Sequence, residues 1–212
     1  MTTNHPAQPI RLHRFYLSGH SHRVELLLSL LKLNYELLDV DLANKAHKQP
    51  EFLAMNPFGQ VPVIEDGKTI VADSNAILVY LASKYDDGVW LPRDPAGAAA
   101  VQRWLSVAAG EVAFGPARAR LATVFKAPVQ ADEAIARAHE LFQIMDRELE
   151  KRPYLTSATP TIADIANYTY IAHAPEGSVS LEAYPNLRRW LQRIEALPGF
   201  VPMEKSAVGL AG

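Results

Sequence analysis

Residues 56–81 read NPFGQVPVIEDGKTIVADSNAILVYL, and this stretch decides the fold. Asn56-Pro57-Phe58-Gly59 is a cluster of turn formers. Val61 to Glu65 is rich in β-branched residues and predicts a strand. Asp66-Gly67 is a hairpin signal, and Lys68 to Ala72 supplies the return strand. Asp73 and Ser74 then offer side-chain oxygens ahead of Ile77, Leu78 and Leu81, which share one helical face. Pro62 breaks the pattern, because it has no N–H to give a sheet ladder. It fits if the Val61–Pro62 bond is cis and turns the chain into the strand. The backbone N–H and C=O of Val61 are then left for an extended ligand, and the helix N-terminus at Ser74 suits a carboxylate. A proline at a sheet edge and an ordinary helix cap account for the same residues without a ligand.

Toward the N-terminus, Ile10 to Leu17 predicts a first strand ending in Phe15-Tyr16. Ser18-Gly19-His20-Ser21-His22-Arg23 is a polar segment with one glycine. Val24, Leu27, Leu28 and Leu31 follow at i, i+3, i+4 and i+7, the core face of a helix. Tyr35 to Asp41 predicts a second strand, and Ala43 to Met55 a polar connection with a short helix near Phe52. Two strands flanking a helix should be parallel through a right-handed crossover, whereas the hairpin strands are antiparallel. The expected first unit is therefore a mixed four-stranded sheet between helices.

Toward the C-terminus, Asp86 to Pro95 is a linker rich in turn residues, and no convincing strand follows it. Asp94 and Pro95 can open a helix carrying Val101, Trp104 and Leu105 on one face, which Gly115-Pro116 interrupts or ends. A helix is predicted from Asp132 to Leu149, and another from Thr161 to His173, opened by a capping-box spacing with Asp164. Pro185 starts a last one, which Pro198-Gly199 stops. The organisation is α/β plus all-α, with units at 10–86 and 95–205. The polar start MTTNHPAQP reads as a loose tail, and the end KSAVGLAG as a frayed one.

Composition bounds the function. The chain has 212 residues, 49% apolar and 21% charged, with net charge −2 and both signs dispersed. Nothing there points to nucleic acid or a membrane surface. The absence of cysteine removes disulfides, thiolate metal sites and any cysteine nucleophile. No His or carboxylate cluster has metal-ligand spacing, so no metal is expected. No signal segment is recognisable, and cytoplasmic is the expectation.

NPFGQVPVIEDG, the following ADSNAILVYLASKY, TIADIA and YPNLRRWLQRIEALPGF, in this order and spacing, resemble the cytosolic glutathione transferase family over roughly residues 10–200. The resemblance implies a thioredoxin-like N-terminal domain, an all-helical C-terminal domain and a homodimer. It implies glutathione as co-substrate, held by the backbone of Val61 beside cis-Pro62 and by Asp73-Ser74. Gln60 and Lys48 lie where the family grips the γ-glutamyl part and the glycyl carboxylate. The thiol-activating residue falls near the end of the first strand. SGHSHRV resembles the SGN-type segment of bacterial members, which puts Ser18 first, with His20 as helper where the family has Asn. Ser21 and Tyr16 stay open as alternatives.

The implied activity is transfer of glutathione to an electrophilic, largely apolar co-substrate against helices from about Val101 to Leu121. The alternatives are a glutathione-dependent disulfide reductase or peroxidase, or a non-catalytic interaction module of the same fold. Other readings apply to single residues. Ser18 and Ser21 can cap the first helix. His20 and His22 can be solvated loop residues. Asp164 reads as a cap, and His173 as a cation at a helix C-terminus. Arg118 and Arg120 read as surface charges, with a pocket role for either as the alternative, and Trp104 and Trp190 as core.

Overall fold

The structure, a computed structural model, describes residues 5–210. Strands β1 (Ile10–Arg14) and β2 (Tyr35–Asp39) flank helix α1 (Gly19–Leu30). They pair in parallel, Ile10 with Tyr35 through Arg14 with Asp39. The hairpin strands β3 (Val63–Asp66) and β4 (Thr69–Ala72) are antiparallel, and the sheet order is β2-β1-β3-β4. Alternation sorts β1 between two faces. Ile10 and Leu12 are buried under α1 and helix α3 (Ser74–Tyr85). Arg11 and His13 point the other way and share the Glu65 carboxylate, at 3.0 and 2.7 Å. Helix α2 (Pro50–Met55) covers that side, with Phe52 against Val40 and Val63.

The first strand ends at Arg14, three residues before its expected end. Phe15 to Leu17 leave the sheet in a turn closed by Ser18 N–H to Phe15 C=O at 2.9 Å. The cause is local: Ser18 Oγ caps α1 by accepting from Ser21 N–H, and Ser21 Oγ accepts from Phe15 N–H, both at 3.3 Å. The second strand likewise stops at Asp39, before an Asx turn in which Asp41 Oδ1 accepts from Asn44 N–H.

The second half is helical. Asp94 caps α4 (Pro95–Val107), which runs through a π turn (Ala108–Val112) toward α5 (Pro116–Val124). Helix α6 (Ala131–Glu150), α7 (Ile162–Ala172), a 3-10 turn (Ala174–Gly177) and α8 (Pro185–Glu195) follow. Gly115-Pro116 interrupts the helical run rather than ending it, and α5 resumes at Pro116; PARARLATV has no apolar period, and its buried positions include Arg120. In α7, every residue from Ile162 to Ile171 is buried, and the helix packs against α1, α3 and α4. The Thr161–Asp164 capping box forms, and Asp164 Oδ1 also accepts from Trp190 Nε1 at 2.9 Å. Trp104 and Trp190 are core.

The C-terminal segment is anchored where fraying was expected. Ser206 N–H donates to Glu176 Oε1 at 2.9 Å, and Leu210 N–H to Pro175 C=O at 2.7 Å. The expected loose N-terminal tail lies partly outside the described residues, but His5 to Gln8 lie beside the β3–β4 turn and Tyr85. Among the described residues no helix is long and apolar enough to cross a membrane, and no group of three His, Asp or Glu side chains could hold a metal ion.

Candidate active site

The N-termini of α1 and α3 and the segment before β3 face α5 across a cleft of about 880 Å³. Ser18, His20, Lys48, Gln60, Val61, Pro62, Asp73 and Ser74 all line it. The opposite wall is largely apolar, with Ala113, Ala117, Leu121 and Phe125, and Phe15 and Leu17 close the end near Ser18. This wall begins at Ala113; Val101, where the co-substrate region was expected to start, is fully buried in the core. Tyr16 and Ser21 do not line the cleft: Tyr16 is exposed at the surface, and Ser21 is buried and tied to Phe15.

Val61–Pro62 is cis. The β1–β3 register ends at the pair His13 and Val63, so Val61 lies beyond the ladder. Asp73, not Ser74, caps α3: its Oδ1 accepts from Ala76 N–H at 2.9 Å. Asp73 holds φ at 74°, a left-handed conformation rare for a residue with a side chain. Ser74 is thereby left free of the cap, and its Oγ meets Arg23 Nη1 at 3.4 Å and His20 Nδ1 at 3.3 Å. Lys48 Nζ spans the carbonyls of Phe58 and Gly59 at 3.0 and 2.8 Å. Asn56 Nδ2 holds the Gln60 carbonyl at 2.8 Å, which fixes the turn that presents Gln60 and Val61.

The electrostatics are set by buried cations. Burial, with Arg23 adding to it, lowers the His20 pKa to about 3, so His20 is a neutral imidazole. Burial lowers Arg23 to about 10, opposed by Tyr170 and Asp73, and it remains charged at neutral pH. Its Nη1 donates to Asn75 Oδ1 at 3.0 Å, while Nε and Nη2 have no hydrogen-bond partner among the described residues. Arg120, expected at the surface, is 2% exposed. It pairs with Glu176 at 2.5 Å and donates to the Leu17 carbonyl at 2.8 Å. Burial raises the Glu176 carboxyl, but hydrogen bonds from His173, Ser206 N–H and Arg120 outweigh it and hold it below its ordinary value.

Sequence reasoning missed three side chains here. Arg23 had a signal: it precedes Leu26, Leu27 and Leu30 at i+3, i+4 and i+7, which places it on an apolar face. Arg120 and Tyr170 had none, since both reach the cleft from the helical half through long-range packing.

The N-terminal domain model of glutathione S-transferases matches residues 9–83, and the C-terminal domain model of the same family matches residues 109–198. The chain is 33% identical over 208 residues to glutathione S-transferase 3 of Zea mays, covering 91% of each protein. It is 30% identical over 196 residues to the disulfide-bond oxidoreductase YfcG of Escherichia coli, covering 87% of this chain and 89% of that one. A glutathione S-transferase structure from Pseudomonas fluorescens superimposes with a TM-score of 0.87 at 32% identity, over 92% of this chain and 99% of the other. With both domain models matched in order around the cleft, the chain belongs to the glutathione S-transferase family.

Proposed function

We propose that the protein is a glutathione transferase in which Ser18 activates the thiol of bound glutathione for attack on an electrophilic, largely apolar co-substrate. The observation that carries this reading is one cleft with the Ser18 hydroxyl, the cis-Pro62 segment and the α3 N-terminus on one wall and apolar side chains on the other. The cysteinyl backbone pairs with Val61, and the γ-glutamyl end sits at Asp73-Ser74 with Gln60. The glycyl carboxylate reaches toward Lys48. The sulfur then faces Ser18, and the co-substrate lies against Leu121 and Phe125. The thiol proton goes to solvent, the thiolate forms the carbon–sulfur bond, and any leaving group departs with the bonding pair.

Magnitudes allow one hydroxyl to do this. Each unit of lowering from a free thiol pKa of about 8.5 requires about 1.4 kcal/mol of thiolate stabilisation. A hydrogen bond to a charged group contributes roughly 1.5–3 kcal/mol. The α1 N-terminus adds roughly 0.3–1 kcal/mol. The sum, roughly 2–4 kcal/mol, is about one to three pKa units. His20, neutral and turned to Ser74, contributes through position rather than charge. The reading includes a cytoplasmic homodimer; Phe58, 80% exposed on the turn before Pro62, supports a partner surface there.

A second reading, reduction of small disulfides by glutathione, is favoured by the likeness to the disulfide-bond oxidoreductase. The test is a panel of glutathione with a chloronitrobenzene, a hydroperoxide and a small disulfide, run on wild type and Ser18→Ala. Conjugation lost at neutral pH and recovered at high pH in Ser18→Ala supports the main reading. Turnover of the disulfide alone selects the second, and no turnover of any substrate leaves a binding module.

A further inference from the structure

Arg23 sits in the second turn of α1, is 1% exposed, and does not itself line the cleft. A buried cation is costly unless an opposite charge offsets it. Among the described residues no carboxylate touches this one. Its hydrogen bonds go to neutral oxygens, Asn75 Oδ1 at 3.0 Å and Ser74 Oγ at 3.4 Å. Nε and Nη2 have no hydrogen-bond partner among the described residues. Asp73 attracts the guanidinium without forming an ion pair with it. The Tyr170 ring, packed on Gly19, lies 5.8 Å from its Cζ.

The direction of the Ser74 contact is fixed by chemistry. A guanidinium has donors and no acceptor, so Arg23 can only give to Ser74 Oγ. The Ser74 hydroxyl, accepting there, has its one hydrogen to give elsewhere. It stands on the cleft wall in the first turn of α3, where free backbone N–H groups favour an anion. His20 Nδ1, 3.3 Å from the same oxygen, belongs to a neutral ring and brings no charge. Beside it, the Asp73 carboxylate suits an ammonium. The γ-glutamyl end of glutathione carries an ammonium and a carboxylate on one carbon.

We propose that Arg23 is a positioning residue for glutathione: its buried charge, passed on through Ser74, is balanced by the α-carboxylate of the γ-glutamyl end when glutathione binds. The inference rests on the placement of that end at Asp73-Ser74. In the chain from Arg23 N–H to Ser74 O–H to carboxylate, both ends are charged, and each bond polarises the next. Arg23 thus acts on the ligand without touching it.

The test is calorimetric titration of S-methylglutathione, of its analogue with the γ-glutamyl carboxylate made a carboxamide, and of the analogue amidated at the glycyl carboxylate. Wild type is compared with Arg23→Met, Arg23→Gln and Arg23→Lys. Arg23→Gln keeps a donor for Ser74 and Asn75 without the charge, and serves where the Met variant does not fold. Amidation of the γ-glutamyl carboxylate should weaken binding to wild type about thirtyfold, and to the Met and Gln variants only about threefold. Arg23→Lys should stay near wild type in this ratio. Amidation of the glycyl carboxylate should cost every variant the same factor, because Lys48 and not Arg23 serves that end. An equal γ-glutamyl loss in wild type and in the uncharged variants overturns the role of Arg23, and so does a Lys variant that behaves like Gln. A glycyl loss that changes with the γ-glutamyl one overturns action through Ser74. A wild type that binds the γ-glutamyl amide as well as the parent overturns the underlying placement of that carboxylate at Ser74.

Discussion

Arg120 donates through Nη1 to the carbonyl of Leu17 at 2.8 Å, so a cation of the helical half holds the peptide immediately before Ser18. The same guanidinium pairs with Glu176, which His173 and Ser206 N–H also hold. Arg120→Met should leave the Glu176 carboxylate buried without its cation, at a cost of about 3–5 kcal/mol. Arg120→Lys keeps the charge but not the fork that spans both acceptors, so it should recover only part of the loss. Denaturant unfolding of both variants checks this. A Met variant as stable as wild type would show that the pair adds nothing net.

Ser74→Ala should weaken glutathione binding with little effect on folding. Asp73 supplies the α3 cap, so the usual cap penalty of about 0.5–2 kcal/mol does not apply to Ser74. What is lost is a hydroxyl at a helix N-terminus, held by Arg23 and His20. A loss of about 1.5 kcal/mol, roughly tenfold in Kd, is expected by calorimetric titration. Unchanged affinity would remove Ser74 from the glutathione contacts.

Acid should unfold the protein partly through His22. Its Nδ1 meets Thr169 Oγ1 at 2.9 Å and its Nε2 meets the Val201 carbonyl at 2.8 Å. Burial lowers its pKa to about 4, although the Val201 carbonyl opposes this. The folded pKa lies below the unfolded value of about 6.5, so unfolding takes up a proton between those limits. Stability is then full above pH 6.5 and falls as pH drops toward 4. The slope contributed by this one site is about 1.4 kcal/mol per pH unit at most. His22→Gln should flatten the dependence of unfolding free energy on pH by about one proton across that window. A slope identical to wild type there would mean that His22 protonates equally well in both states.

Asp164→Ala should be severe. The carboxylate accepts from Leu155 N–H and Thr161 N–H at 2.9 Å each, as well as from Trp190 Nε1, all buried. Each donor stranded in the core costs about 1–3 kcal/mol, so a loss above about 3 kcal/mol is expected by denaturant unfolding. Trp190→Phe should cost less, because it removes one donor and strands no other.

The hairpin, the cis-Pro62 segment and the α3 start were legible because each depends on local rules: Asp66-Gly67 for the turn, Pro62 for the missing N–H, Asp73 for the cap. The walls of the cleft made from those residues followed with them. The buried face of α5 was not legible, because it is set by Glu176 and Leu17, far away in sequence, rather than by a period of its own. Tyr170 could not be placed for the same reason: its partner surface is a glycine on another helix. The end of the first strand was misplaced because an apolar run, Phe15 to Leu17, lost to the pair of serine caps.

The core is one connected cluster running from Ile10 and Leu12 through α1 and α3 to Trp190 and Ile194. Helix α7 is wedged between the two halves, touching α1, α3 and α4 at once. The domain boundary in sequence is therefore not a boundary in cooperativity. A fragment ending near Tyr85 would uncover the faces of α1 and α3 that pack on α7, and the helical fragment would uncover the facing side of α7. Calorimetry of the whole chain should give one melting transition whose van't Hoff and calorimetric enthalpies agree, so that thiol site and co-substrate wall are lost together.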